Sequence, residues 1–409
     1  MYFCRDKNLE LLHLTEITDK RTAKEFMNVP RIIYKNDPFW VCPLDKEIDA
    51  IFDTRKNPFF QHGEVIRWIL KDDRGHLIGR VAAFINKNKA WSYKQPTGGM
   101  GFFECINDKP AAFMLFDAGR DWLAQRGMEA MDGPVNFGEN DVNWGLLVEG
   151  FMHPGIGMNY NLPYYRDLFE SYGFRFYFEQ ISNHLDLTKP FPERFWKIAD
   201  WVLKKPDHTF RHFIYSETDK FVHDLKNIYD TAWAFHESFT PLDEALIRST
   251  LEKSTSFIDP EMMWFAYVND DPAAFLIMFP DVNQVLRHLN GKMHLWNKIK
   301  FFMLLKRKTI TRTRIIIMGV KPKYQRHGLE SGIFWHLEKV MKYKPQYTEI
   351  ELSWVGDYNP KMRALHESVG GTFAKKHITF RKIFSDQVDF QRSVIIPVDT
   401  KEKFLKDKK

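Results

Sequence analysis

Val320-Lys321-Pro322-Lys323-Tyr324-Gln325-Arg326-His327-Gly328-Leu329-Glu330-Ser331 is the stretch whose reading decides how this chain folds. The apolar run Ile315-Ile316-Ile317-Met318 precedes it, and Ile333, Phe334, Leu337, Val340 and Met341 follow at helical spacing. The pattern is strand, tight loop, helix. Such a loop leaves backbone N–H groups unpaired at a helix N-terminus, where free donors and the helix dipole together favour a phosphate. Gly328 lets that phosphate come close to the backbone. The loop has neither the Gly-Lys-Ser/Thr of a Walker loop nor the Gly-x-Gly-x-x-Gly of a dinucleotide fold.

A second strand and helix follow. Glu349-Ile350-Glu351-Leu352-Ser353-Trp354 alternates as a strand does. Asn359-Pro360 then opens a helix, because Asn is a favoured N-cap and Pro a favoured first helical residue, and Gly370 supplies the stop.

Taken together, these segments resemble the GCN5-related N-acetyltransferases, the GNAT superfamily. The pyrophosphate loop of that family reads Gln/Arg-x-x-Gly-x-Gly/Ala; Gln325 and Gly328 match it, behind a Val-x-Pro at Val320 to Pro322. Asn359 matches the Asn that opens the family's next helix. Two positions depart from the pattern: Glu330 stands where the family has Gly or Ala, and His366 where it has Tyr. The resemblance implies acyl-CoA or acetyl-CoA as co-substrate, held by Gln325, Arg326, His327, Gly328, Leu329, Ser331 and Asn359. It also implies oxyanion donors among the backbone N–H groups from Met318 to Val320.

At 409 residues and 44% hydrophobic composition, the chain is long enough for two or three globular domains. Its apolar runs fall short of the ~18 residues of a membrane span, and Met1 to Asp6 open no signal peptide, so a cytoplasmic location is expected. Cys4, Cys42 and Cys105 are too few and too scattered for a disulfide framework or a zinc site. No metal is expected.

Net charge is +6, a mild excess. Between Asp281 and Glu330 there is no acidic residue, while cations from Arg287 to Arg314 share the segment with Leu295, Trp296, Ile299, Phe301, Phe302 and Met303. Two readings stay open for residues 287–314: a helix lying at the inner face of an anionic membrane, or a core helix with solvated basic flanks. Nucleic acid is not an expected partner, since the aromatic and aliphatic residues there lie in runs rather than interleaved with the cations.

The order of elements is written twice. Strand, helices, a hairpin of strands (Val65 to Lys71 and Leu77 to Asn86), a further strand and a helix recur after Arg211, with a hairpin at Met262 to Phe279; Lys189-Pro190-Phe191-Pro192 is the connection. The expected fold is α/β (α+β): two tandem GNAT-like domains, 1–190 and 191–409, each a mixed, mostly antiparallel sheet flanked by helices. In the first half the equivalent loop, Cys105-Ile106-Asn107-Asp108-Lys109-Pro110, has no glycine and carries an aspartate. Only the second half is expected to hold CoA.

Further motifs widen the resemblance to a large bacterial family of duplicated GNAT-like proteins. They include Asn36-Asp37-Pro38-Phe39-Trp40-Val41, Asp132-Gly133-Pro134-Val135-Asn136 and Gly145-Leu146-Leu147-Val148-Glu149-Gly150-Phe151. Some members of that family are associated with N-acylation of long-chain sphingoid bases, which implies a small-molecule or lipid amine as acceptor. Substrate contacts are expected from the polar stretch containing Asn136, Glu139, Asn140 and Trp144, past a strand end.

Amine attack on a thioester needs a base for the ammonium proton, donors for the oxyanion and an acid for the thiolate. His366, whose ordinary pKa is ~6.5, suits either proton role, and Glu351 and Asp357 are the carboxylates nearest the expected cleft. A protein that kept the fold but lost catalysis, binding acyl-CoA or lipid, is the alternative suggested by Glu330 and the missing Tyr.

Overall fold

The computed structural model describes residues 11–138, 142–234, 241–255 and 258–393. The chain forms two compact units. The first contains the chain up to Gln180 with Leu289–His294 and Lys376–Ser393; the second contains Ile181–His288 and Leu295–Lys375. Compared with one division at residue 190, the units exchange short segments.

In the first unit the strands run in the order His13–Glu16, Gly63–Lys71, Leu77–Asn86, Thr97–Cys105, Ala130–Gly133 and then residues 376–383 of the strand Thr372–Ile383. Neighbours are antiparallel except for Thr97–Cys105 and Ala130–Gly133, which run parallel over Thr97↔Ala130 to Gly99↔Asp132. Leu146–Glu149 adds to the same last strand. Phe116, Leu115 and Leu123 of the helix Lys109–Ala124 bury their apolar stripe against Val81, Ala83, Ile378 and Phe380. Arg381 fixes the late strand in place, because its Nε and Nη2 donate to Asp132 at 2.6 and 2.8 Å in a buried bidentate pair.

In the second unit the order is residues 181–186 of the strand Arg175–Asp186, then Glu349–Glu351, Arg312–Val320, Asp271–Pro280, Met263–Val268 and His208–His212. Again the single parallel pair of the ladder is Arg312–Val320 with Glu349–Glu351, registered from Arg312↔Glu349 to Arg314↔Glu351. The two-residue period of a strand sorts Met263–Val268 onto two faces. Trp264, Ala266 and Val268 meet the helices Glu193–Leu203 and Leu329–Lys342, while Met263, Phe265 and Tyr267 meet the helix Thr218–Trp233. Each unit therefore repeats one plan, a mostly antiparallel sheet with one parallel pair and helices on its faces, as the repeated element order predicts.

Residues 287–314 divide between both sequence readings. A helix forms over Leu295–Lys306, but Arg312 and Arg314 are buried in the following strand and belong to no surface. Among the described residues no helix is long and apolar enough to cross a membrane. Cys42 and Cys105 are free, buried thiols; burial pushes Cys42 up to about 11 and Cys105 further, so both stay protonated and inert. Cys4 lies outside the described residues.

Candidate active site

The second unit carries the site. Arg312–Val320 is central in its sheet, and Ile316 forms a bulge against Asp271–Pro280, where the register moves from Ile277↔Ile317 to Met278↔Ile315. Lys321 N donates to Ala273 O at 2.9 Å, so antiparallel alternation turns the N–H groups of Val320 and Met318 the other way. On that side the parallel partner strand ends at Glu351, opposite Arg314. The two strands thus part company beyond Arg314, leaving the backbone of Met318 and Val320 on the open side. Their side chains, like that of Leu329, sit in the core, so any contact they make with a ligand is through the main chain.

Beyond the strand the chain makes a tight turn over Pro322–Tyr324. Asp271 braces it: Lys321 Nζ and Tyr324 Oη donate to its two carboxylate oxygens at 2.8 and 2.7 Å. Against the upward pull of partial burial, these donors and Lys323 hold Asp271 far below the ordinary carboxylate range. Arg326 is exposed and left-handed at φ 72°, and Gln325 is half-buried. Gly328, at φ 76°, opens the helix Leu329–Lys342, and no side chain caps that helix. Ser331 N turns back to Gly328 O at 3.0 Å. Without a side-chain cap at Gly328, the start of this helix is of the kind that favours an anion, with the macrodipole adding to it.

Two features of the loop were not legible in the motif. The ring of His327 lies 6.1 Å from that of His208, and His327 Nδ1 and His208 Nε2 are buried without a hydrogen-bond partner among the described residues. Glu330, half-buried in the first turn, accepts from its own backbone N–H, and burial raises its carboxyl above the usual range. In the first unit, by contrast, the carboxylate of Asp108 accepts from Ala111 N at 2.8 Å and caps the helix Lys109–Ala124 itself.

Asn359 caps the helix Pro360–Ser368, its Oδ1 accepting from Met362 N at 3.2 Å. Asp357 lies half-buried just before that cap. His366, in the last turn, is buried rather than on the helix surface, and burial lowers its pKa to about 4. So held, it is a neutral imidazole at pH 7.

Glu351 stands apart. Its side chain and that of Lys375 are both 0% exposed, and Lys375 Nζ donates to Glu351 Oε1 at 2.8 Å. Ser182 Oγ donates to the same oxygen at 3.3 Å, and Arg312, paired with Asp281 at 2.6 Å, lies 3.7 Å from Glu351 Oε2. Burial alone would raise Glu351, but Lys375, His184, Arg312 and Arg314 outweigh it and hold the carboxylate well below its ordinary range. Fully covered and paired with Lys375, the carboxylate does not reach solvent. These are the surroundings of a structural ion pair, in which Glu351 is held by cations on all sides.

Of the first-half candidates, Asn136 and Trp144 are described and Glu139 and Asn140 lie outside the described residues. Asn136 Oδ1 and Trp144 Nε1 are buried with no partner among the described residues, in and beside the aromatic cluster of Phe84, Phe137, Phe59 and Phe60. Buried polar atoms of native proteins almost always find partners. A cavity of about 330 Å³ in the second unit, lined by Ile258, Pro280, Leu305, Ile310 and Tyr347, includes none of the expected site residues. Among the described residues no group of three or more His, Cys, Asp or Glu side chains is arranged to hold a metal.

The Acetyltransferase (GNAT) family matches residues 191–371. The chain is 32% identical over 371 residues to a protein of Caulobacter vibrioides (strain NA1000 / CB15N) named "Bacterial ceramide synthase", spanning 88% of this chain and 94% of that one. It is 26% identical over 371 residues to Protein YghO of Escherichia coli (strain K12), spanning 89% and 93%. Among solved structures, a tandem GNAT protein from the clavulanic acid biosynthesis pathway aligns with TM-score 0.55 at 10% identity over 93% of this chain and 100% of that one. The glucosamine N-acetyltransferase region of a fungal GH3 β-N-acetylglucosaminidase aligns with TM-score 0.53 at 12% identity, over 92% of this chain and 38% of that one. This chain belongs to the GNAT family and is an N-acyltransferase built from two GNAT-like domains.

Proposed function

We propose that the protein transfers an acyl group from acyl-CoA to the nitrogen of a long-chain, sphingoid-type amine. The observation that carries the donor is the uncapped helix start at Gly328, at the end of a strand whose parallel partner stops at Glu351. Its N–H groups, with Gln325, Arg326, His327, Leu329 and Ser331 around them and Asn359 nearby, suit a pyrophosphate. The Asp108 cap leaves the first unit's corresponding helix without free room for one. What supports the acceptor is the name of the Caulobacter relative, since making a ceramide is N-acylation of a long-chain amine.

In this reading the amine nitrogen forms its bond to the thioester carbonyl carbon, the C–S bond breaks and the thiol of CoA leaves. The N–H groups of Met318 and Val320 face the developing oxyanion, each such donor being worth roughly 100-fold or more in rate. Asp357 and His366 remain as proton carriers, His366 as a neutral base. The testing experiment incubates the purified protein with a long-chain acyl-CoA and sphinganine, and measures both released thiol and amide product. Thiol released in step with amide supports the reading; acyl-CoA binding with no release supports a catalytically inactive binding protein, which the position of Glu330 favours.

Burial of His366 sets an expected pH profile. With its pKa near 4 it stays neutral throughout, so kcat between pH 5.5 and 8, a range chosen around the ordinary ~6.5 of histidine, carries no inflection from this residue. His366→Gln is expected to lower kcat by roughly 100-fold, the low end for a positioned base, with acyl-CoA affinity unchanged. An inflection near ~6.5 in the wild type that vanishes in His366→Gln is the result that contradicts this assignment.

A further inference from the structure

The helix Leu295–Lys306 is apolar on two sides. Phe301 is buried, with Leu304 and Leu305 half-buried beside it, and these make the inward face. Leu295, Trp296, Ile299, Phe302 and Met303 remain 69, 75, 52, 56 and 42% exposed. At 3.6 residues per turn they fall on one stripe, on roughly the opposite side from Phe301, Leu304 and Leu305. A helix apolar on both sides is ordinarily buried all round; this one offers a continuous apolar face, with a tryptophan in it, to whatever lies outside.

The charges flanking that face say what lies there. Lys298 and Lys300 project along its two margins, both exposed. Lys306 sits in the last turn of the same stripe, and exposed Arg307 and Lys308 follow directly. No acidic residue occurs anywhere between Asp281 and Glu330 to balance them. A second copy of this face would bring the same cations against its own. An anionic lipid surface instead takes the apolar stripe into its acyl boundary and the ammonium and guanidinium groups onto its phosphates, and long Lys and Arg stems reach from one zone to the other.

We propose that the helix Leu295–Lys306 docks the protein on anionic membranes, with Leu295, Trp296, Ile299, Phe302 and Met303 entering the interface. This goes beyond the proposed reaction and holds whichever amine is acylated. It also supplies a reason for the helix: an amine with a long hydrocarbon chain resides in the bilayer, so the enzyme must come to it.

The test is flotation of the full chain with vesicles of phosphatidylcholine alone and of phosphatidylcholine with phosphatidylglycerol. The protein is expected to float with the anionic vesicles only, and to be released as salt rises, because the lysines act through a screened interaction. Ile299→Glu/Phe302→Glu changes only exposed side chains, so thermal melting should match wild type while vesicle binding falls by at least ~10-fold, consistent with losing buried apolar contact and adding two like charges. Lys298→Gln/Lys300→Gln should weaken binding and flatten its salt dependence. Wild type that fails to float overturns the proposal, as does Ile299→Glu/Phe302→Glu floating like wild type. A wild-type dimer in light scattering that Ile299→Glu/Phe302→Glu converts to monomer, without vesicle binding by either, assigns the face to self-association and overturns it equally.

Discussion

Gly328→Glu is expected to leave no measurable affinity for CoA in calorimetric titration, a loss of at least ~100-fold, or about 2.7 kcal/mol. Three effects act in the same direction. The residue sits at φ 76°, where a side chain costs about 1–2 kcal/mol. A Cβ there meets Val202 Cγ2 at 2.7 Å and Ile198 Cγ2 at 3.0 Å, so those side chains must shift. The new carboxylate would then sit at the helix N-terminus and take the position of the incoming anion. Gly328→Ala carries the strain and the contact without the charge, and should lose only about 10-fold. Asp108→Asn in the first unit should bind CoA as wild type does, because that helix start already holds its own cap. Melting curves run beside the titrations separate lost binding from lost fold. A folded Gly328→Glu that still binds CoA, or an equal loss from Asp108→Asn, would move the donor site away from this loop.

Much of this architecture was readable because it rests on local chemistry. A strand reads from its alternation and helix starts from Asn359-Pro360 and Gly328, and each of these needs only a few neighbouring residues. What the sequence withheld depends on partners far away. Arg381 and Asp132 are 249 residues apart, so the strand Thr372–Ile383 gives no sign that its second half belongs to the first unit. Glu351, in a strand that alternates as a half-exposed one would, gives no sign that its partners come from Ser182, Arg312 and Lys375 on other strands. His366 is a different case. Motif position says where a side chain begins but not how much of it is covered, and burial decides whether an imidazole is an acid, a base or neither. The segment 287–314 stayed ambiguous because hydrophobicity on both sides of a helix is equally the mark of a buried one.

Lys375→Met is expected to destabilise the second unit by roughly 3–5 kcal/mol, because it takes the hydrogen-bonded cation from a fully covered carboxylate. For a unit of this size that corresponds to a fall in its melting temperature of roughly 10 °C. Lys375→Met/Glu351→Leu removes both charges and should recover most of that loss, since replacing a buried pair by apolar groups of similar volume is often close to neutral. The pair also sets a pH signature. Glu351 is held below its ordinary value of 4.5 in the folded state, so its contribution is complete above that unfolded value and is lost as pH falls through the lower folded one. Urea melts at pH 7 and in the acid range should therefore show the wild type losing stability on acidification, and the double variant losing less. The same double variant decides what Glu351 does. A structural ion predicts that the folded double variant keeps N-acyl transfer within a few-fold of wild type, whereas a general base predicts a fall of ~100-fold or more in kcat with acyl-CoA affinity intact. Loss of turnover in a well-folded double variant would return Glu351 to the reaction. Retained turnover leaves the proton path to Asp357, His366 and water.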